Sequence, residues 1–322
     1  MAASPTVTTA DGGRYTNYLA NMPEQLSNEK RALLALMAER GTEGQAEYER
    51  RWQRGGANFT HAFNDIFTNR ASNDQLAEFV RGKISEVVKD PVTAEALKPK
   101  DYPIFARRPC LDSSYYETYN QANVHLIDLY KQPIVEITEK GVRTEQGEYE
   151  LDILILATGY DGLTGALTAF DVVGKNGQTV NQKWKDGACS YLGLMMAGFP
   201  NLFMTTGPTG PAALANIIRI SENDVDWIAE LMVHMEKNGQ ASAEVTPQAE
   251  QAWMDIVGNL AKRSLLLKAK TWYLGANVKD KPLGLTLFTG GFHKYREHCE
   301  AAKQDGYRKA LAFVPGKVER AA

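Results

Sequence analysis

The stretch that decides the fold is LDILILATGYDGLTGAL, which runs from Leu151 to Leu167. Its first six residues are apolar except for Asp152, a pattern typical of a strand covered on both faces in a parallel sheet, although a buried helix has the same pattern. Gly159, Gly162 and Gly165 follow, and glycine permits the close backbone approach that a ligand needs at the carboxyl end of such a strand. On these residues alone, an ordinary strand-to-loop transition is the simpler explanation.

Before this stretch, the predicted secondary structure changes from helix to strand near residue 101. Residues 1–100 carry apolar side chains at helical spacing, most clearly over residues 75–89, where Pro91 is expected to stop the helix. Residues 134–137 and 141–151 instead indicate short strands and a hairpin that lead into the predicted strand. We therefore expect a helical unit followed by a sheet segment.

Downstream of the predicted strand, the pattern becomes helical again. Residues 222–237 predict a helix that ends at Gly239, and residues 247–267 predict a second one. The residues of the first helix expected to face inward are Val225, Ile228, Leu231, Met232 and Met235. Strands and helices along the same chain predict an α/β fold.

Composition excludes several classes of partner. The chain has 322 residues and a formal net charge of −3, which offers no electrostatic attraction to nucleic acid or to an anionic membrane. No stretch reaches ~18 uninterrupted apolar residues, and the first residues lack the basic and apolar segments of a secretion signal. The three cysteines, Cys110, Cys189 and Cys299, are too far apart for a metal knuckle and odd in number. We therefore expect a cytoplasmic protein that binds neither nucleic acid nor membrane.

Two segments carry residues suited to ligand binding. Arg107 and Arg108 are adjacent guanidinium groups, each a planar donor that matches phosphate and stays charged at all accessible pH values; a solvated basic pair is the competing explanation. Trp272 lies in a loop of small residues, where its indole N–H can meet a ligand or simply anchor the loop. The histidines show no metal-ligand spacing, and no GxGxxG turn occurs, so neither a metal site nor a dinucleotide cradle is predicted.

Taken together, the chain resembles the C-terminal part of a type I Baeyer–Villiger monooxygenase of the cyclohexanone monooxygenase kind. The resemblance covers most of the chain from about residue 47 to residue 307. It is carried by RRPCLDSSYYETYNQANV (107–124), LDILILATGYD (151–161), SYLGLMMAGFPNLFMTTGPTGP (190–211), WYLGANV (272–278) and GGFHKYREHCEAAKQDGY (290–307).

The resemblance implies an activity and its cofactors. Members of this family bind FAD and NADP, and convert ketones to esters or lactones with NADPH and oxygen through a C4a-peroxyflavin. Arg108 matches the catalytic arginine, Arg107 the position that contacts the NADP 2′-phosphate, and Trp272 the tryptophan that helps to hold the nicotinamide nucleotide. Two further sets match: the ATG motif of Ala157, Thr158, Gly159 and Tyr160, and the substrate-cavity wall of Gly207, Pro208, Pro211, Ala212, Ala213 and Leu214, where the two alanines are expected to leave the wall comparatively open.

The same resemblance implies an incomplete fold. We expect an α/β, two-dinucleotide-binding-domain flavoprotein fold with a helical insert subdomain, lacking the FAD-binding half that carries the GxGxxG turns. The expected domains are a helical subdomain (1–100), the C-terminal part of the NADP-binding domain (101–160), and the C-terminal part of the FAD-binding domain with the substrate cavity (161–322). The chain is then a component that needs a complementary N-terminal FAD-domain chain; the alternative is a non-catalytic remnant or interaction protein.

Overall fold

The computed structural model describes residues 42–279 and 281–316, and its contacts divide them into two units. The larger unit comprises residues 42–74, 102–109 and 161–316, and the smaller one residues 75–101 and 110–160. The part of the predicted helical subdomain before residue 42 lies outside the described residues. The three predicted domain boundaries stay predictions.

Helices predominate in the described residues. The α-helices are α1 (Thr42–Trp52), α2 (Arg70–Val87), α3 (Pro91–Leu97), α4 (Tyr115–Thr118), α5 (Gly165–Thr168), α6 (Val180–Lys183), α7 (Ile217–Lys237), α8 (Pro247–Lys262) and α9 (Phe292–Lys303). The strands are β1 (Ile134–Thr138), β2 (Gly141–Thr144), β3 (Gly147–Glu150), β4 (Gln240–Val245) and β5 (Leu311–Pro315). Short 3₁₀ helices span Asn58–His61, Lys175–Gly177, Ala212–Leu214, Leu265–Lys268 and Trp272–Leu274.

The core of the larger unit lies between its long helices and the antiparallel pair β4–β5. Its largest members are Trp227 of α7, Trp253 of α8 and Tyr295 of α9, each no more than 2% exposed. The side chain of Asn216 caps α7, and that of Thr246 caps α8 ahead of a proline at its first position, so both helices begin where their unpaired N–H groups find acceptors. Burial of these large aromatic side chains stabilises this unit.

The smaller unit contains the antiparallel sheet β1–β2–β3 and the helix α3. The hairpin predicted near residues 141–151 is present, with Gly141 paired to Glu150. The helix predicted over residues 75–89 ends at Val87, before the expected stop at Pro91. Pro91 is also the first residue of α3, because Asp90 accepts a hydrogen bond from the Thr93 N–H and proline suits the first turn.

The strand predicted at residues 151–156 does not form. After the Leu151 N–H donates to the Lys140 carbonyl oxygen at 2.9 Å, the chain is irregular. Ile153 is 78% exposed and Ile155 is 82% exposed. A buried parallel strand needs hydrogen-bonded neighbours on its flanks, and the described residues supply none to this segment. The prediction of a covered strand is therefore wrong for this chain on its own.

His61 makes the stability of the larger unit depend on pH. Burial, reinforced by the charge of Arg51, lowers the pKa of this imidazole to about 4. Between pH 6.5 and pH 4 the unfolded chain gains a proton that the folded chain does not, so the free energy of unfolding should fall with decreasing pH, by about 3 kcal/mol in this window. Urea unfolding at several pH values measures this dependence. His61→Phe should flatten the curve relative to the unsubstituted chain, and an identical slope would contradict the assignment.

Candidate functional site

The two adjacent arginines lie exposed in the larger unit. Arg107 Nη2 donates a hydrogen bond to the carbonyl oxygen of Lys270 at 3.1 Å. The centre of the same guanidinium lies 4.4 Å from the centroid of the Tyr102 ring, within the range of a cation–π interaction. These two contacts orient Arg107 while its charge remains accessible to an anion.

A buried asparagine holds the turn that precedes the arginines. Asn73 of α2 is 0% exposed, and its Oδ1 accepts from the Ile104 N–H at 2.9 Å while its Nδ2 donates to the Ile104 carbonyl oxygen at 3.1 Å. A side-chain amide can pair with both the N–H and the carbonyl oxygen of one residue, as the backbone of a neighbouring β-strand does, and this pairing fixes the position of that residue. Sequence reasoning missed Asn73, which precedes the helix predicted at residues 75–89 and carried no local signal of this role.

Trp272 begins a 3₁₀ helix in the same unit. Gly275, at φ +78°, ends this helix, and the Tyr273 side chain anchors it at 1% exposure. Burial raises the pKa of Tyr273 to about 12, and the charge of Arg108 opposes that rise. Because Arg107 contacts Lys270, the structure brings both arginines next to the segment that carries Trp272.

The four residues of the ATG motif belong to the smaller unit, whereas the arginines and Trp272 belong to the larger one. They are Ala157, Thr158, Gly159 and Tyr160, and all are exposed. Gly159 has φ +87°, a conformation that favours glycine. Their role in cofactor binding stays a prediction.

The residues just after the ATG motif do meet the Trp272 segment. Asp161 forms an ion pair with Lys281. At Gly162 an added Cβ would lie 3.1 Å from Cε3 of Trp272, so a larger residue fits only if the indole shifts by a few tenths of an ångström. Asp161 and Lys281 also line a cavity of about 340 Å³, together with Thr164, Thr168, Trp184 and Leu274.

The predicted substrate-cavity residues do not line that cavity. Gly207, Pro208, Pro211 and Ala212 are buried, Leu214 is half-buried, and Ala213 lies in the 3₁₀ helix Ala212–Leu214. The loop is packed into the protein, and the expectation that its two alanines leave a substrate wall comparatively open stays a prediction. Its role as a substrate wall stays a prediction.

Backbone-to-backbone packing holds this loop. An added Cβ on Gly207 would lie 2.3 Å from the Gly193 carbonyl oxygen, and one on Gly193 would lie 2.8 Å from the Gly210 nitrogen. Thr209, which is 0% exposed, accepts a hydrogen bond from Trp253 Nε1 at 3.2 Å, and its hydroxyl lies 2.6 Å from that of Ser190. The loop is thus a well-defined part of the core.

Acidic side chains supply acceptors to the irregular segment that leads into the loop. Glu250 of α8 accepts from the Ala197 N–H at 2.9 Å and pairs with Lys183 at 2.7 Å. Asp224 of α7 accepts from the Thr206 N–H at 2.8 Å. A buried segment outside regular structure needs such partners for its backbone groups. Sequence reasoning missed both carboxylates; charged residues on the inner faces of predicted helices were the available signal.

Neither a cluster of metal-ligating side chains nor a helix able to span a membrane occurs in the described part of the chain. Residues 42–279 and 281–316 hold no group of three or more His, Cys, Asp or Glu side chains placed to bind a metal ion. Over the same residues, none of the helices combines the length and apolar character needed to cross a membrane.

Known proteins resemble this chain in sequence and structure, although no protein-family profile matches it. The Baeyer–Villiger monooxygenase of Pseudooceanicola batsensis is 41% identical over 82% of the chain, and the cyclohexanone 1,2-monooxygenase of an Acinetobacter species is 40% identical over 82% of it. The crystal structure of OTEMO in complex with FAD and NADP matches 84% of the chain and 51% of its own, with a TM-score of 0.80 and 35% identity.

The match covers only part of each relative's length. The chain spans about half the length of the curated relatives it matches, 48% of the first and 49% of the second. The resemblance stated from the sequence motifs is confirmed over this length, as is the α/β character of the fold.

Proposed function

We propose that this chain, a homologue of about half the length of the Baeyer–Villiger monooxygenases, forms part of an FAD- and NADPH-dependent monooxygenase that converts ketones to esters or lactones. The observation that supports the proposal is the hydrogen bond from Arg107 to the carbonyl oxygen of Lys270, close to Trp272 in the chain, with Arg108 directly after Arg107. An oriented guanidinium next to a second one and a half-buried indole suits a ligand that has both phosphate and aromatic parts.

The nicotinamide nucleotide fits these residues. Arg107 would hold the 2′-phosphate, because its fork is already oriented by Lys270 and Tyr102 and its charge faces solvent. Trp272 would support the nicotinamide end, and Arg108 would stabilise negative charge that develops at the reaction centre. The bound nucleotide supplies hydride, while these side chains supply position and charge.

FAD does not fit the residues of this chain alone. The described residues contain no glycine-rich turn between a strand and a helix, and the segment that should enter a nucleotide-binding sheet, residues 151–156, is exposed and unpaired. We propose that a complementary N-terminal half provides the FAD cradle and the missing strands, as part of a longer polypeptide or as a separate chain. The chain itself would then be the incomplete two-dinucleotide-binding-domain fold expected from its motifs.

Within this proposal the loop Gly207–Leu214 forms the wall that the ketone contacts. Its buried glycines and prolines make that wall stiff, which favours a defined substrate position over induced fit. The cytoplasmic location stays a prediction.

Flavin binding tests the proposal. The purified chain is titrated with FAD alone and then after mixing with the N-terminal half of a related monooxygenase, and ketone-dependent NADPH oxidation is followed. We expect saturable FAD binding and ketone-dependent NADPH oxidation only in the mixture. Absence of both in the mixture would contradict the proposal and favour a non-catalytic remnant. Mixing with an N-terminal half whose GxGxxG glycines are replaced is the control.

A further inference from the structure

Asp224 occupies a buried position between two parts of the larger unit. It lies on α7 and is 1% exposed. Its Oδ2 accepts a hydrogen bond from the Thr206 N–H at 2.8 Å, and its Oδ1 accepts one from the Tyr295 hydroxyl of α9 at 2.7 Å. An apolar side chain would fill this position without the cost of desolvating a carboxylate, so the contribution specific to aspartate is its two acceptor oxygens.

The backbone that Asp224 binds is in an unfavourable conformation. Thr206 has φ +51°, in the left-handed region that β-branched residues avoid. Thr206 directly precedes Gly207, where the close backbone packing against Gly193 begins. The hydrogen bond from the Thr206 N–H to Asp224 therefore stabilises the backbone conformation with which the chain enters the loop Gly207–Leu214.

We propose that Asp224 is a positioning residue that sets the backbone direction of the loop Gly207–Leu214 and thereby the placement of the ketone. This inference rests on the role proposed above for that loop. Asp224 acts on the substrate through Thr206 and does not touch it.

Three substitutions separate this role from a general contribution to stability. Asp224→Ala removes both acceptor oxygens, so the Thr206 N–H and the Tyr295 hydroxyl each lose their partner. Tyr295→Phe is the matched control, because it removes the other partner of the carboxylate and leaves the Thr206 hydrogen bond in place. Thr206→Gly keeps the N–H and removes the conformational penalty at this position.

Kinetics of the reconstituted enzyme give the first test. Asp224→Ala is expected to raise the KM for the ketone about tenfold with the KM for NADPH unchanged, since an unmet buried hydrogen bond is worth about this factor. Tyr295→Phe should change the ketone KM less than about threefold. Adding Thr206→Gly to Asp224→Ala should recover most of the loss. Equal effects of Asp224→Ala and Tyr295→Phe on the ketone KM, or equal effects of Asp224→Ala on the KM values for ketone and NADPH, would overturn the inference.

Hydrogen exchange of the full chain gives a test that does not depend on catalysis. Asp224→Ala should speed amide exchange in a peptide covering residues 203–214 by about tenfold relative to Tyr295→Phe, with peptides of α8 unchanged. Faster exchange throughout the chain, or no change in this peptide, would overturn the inference. Local exchange as expected together with a failed reconstitution would support the positioning contact and count against the proposed function alone.

Discussion

Replacement of Gly207 by alanine is expected to destabilise the larger unit by about 3 kcal/mol or more, a large fraction of the ~5–15 kcal/mol that stabilises a typical domain. The added Cβ would lie 2.3 Å from the Gly193 carbonyl oxygen and 3.2 Å from the Gly193 carbonyl carbon. Both are backbone atoms of a buried turn, which cannot move aside as a side chain can. The loop Gly207–Leu214 must therefore shift or the surrounding core must open.

A second glycine provides the control for this prediction. Gly258 lies inside α8, and an added Cβ there meets nothing within 4 Å. Because glycine is unfavourable within a helix, Gly258→Ala should raise the free energy of unfolding by about 0.5–1 kcal/mol. Chemical denaturation of both variants measures the contrast. Similar stabilities for Gly207→Ala and the unsubstituted chain would show that the backbone packing between Gly207 and Gly193 is looser than described.

Substitution of Arg108 by alanine is expected to lower kcat for ester formation in the reconstituted enzyme by about 10²–10³-fold. The guanidinium lies close enough to the buried Tyr273 to oppose the rise of its pKa, so its charge is placed beside the Trp272 segment. Loss of a preorganised cation removes stabilisation of the negative charge that develops during oxygen transfer. Product formation is measured by chromatography, in parallel with NADPH consumption.

Two arginine variants define the specificity of this effect. Arg107→Ala should raise the KM for NADPH by about tenfold or more while largely preserving kcat, because a phosphate contact contributes to binding rather than to the chemical step. Arg219→Ala removes an exposed arginine of α7 whose contact is an ion pair with Glu222, and should leave all constants unchanged. Ester formation that survives in Arg108→Ala would show that the role assigned to this residue is wrong.

The long helices show which structural features the hydrophobic pattern of the sequence could predict. Helical spacing predicted α7 and α8, but α7 begins at Ile217, before the predicted residue 222, and α8 ends at Lys262, before the predicted residue 267. The buried face of α7 was predicted only in part: Leu231 and Met235 are buried, whereas Val225 is 53% and Met232 57% exposed. In their place the helix buries Asp224. Periodicity ranks positions by polarity, and it cannot foresee a carboxylate whose acceptors are needed by a turn distant in the sequence.

In the candidate site, too, local sequence patterns identified some residues, and long-range contacts determined the roles of others. Residue types and short motifs identified Arg107, Arg108 and Trp272 as ligand-binding candidates and the Baeyer–Villiger monooxygenases as relatives. They did not indicate that Asn73 fixes the turn before the arginines, or that Lys270 and Tyr102 orient Arg107. Those contacts join residues far apart in the chain, and only folding brings them within hydrogen-bonding distance.

Residues 151–160 show most clearly what sequence-based prediction could not determine. The amino-acid sequence by itself determined that these residues favour an extended, apolar segment ending in glycine, because β-branched and apolar side chains and the freedom of glycine are local properties. Whether that segment becomes a strand was decided only in the tertiary structure, where it lies exposed and without strand partners. Backbone pairing in a sheet is a non-local interaction, so a strand exists only where another strand is present to bind it.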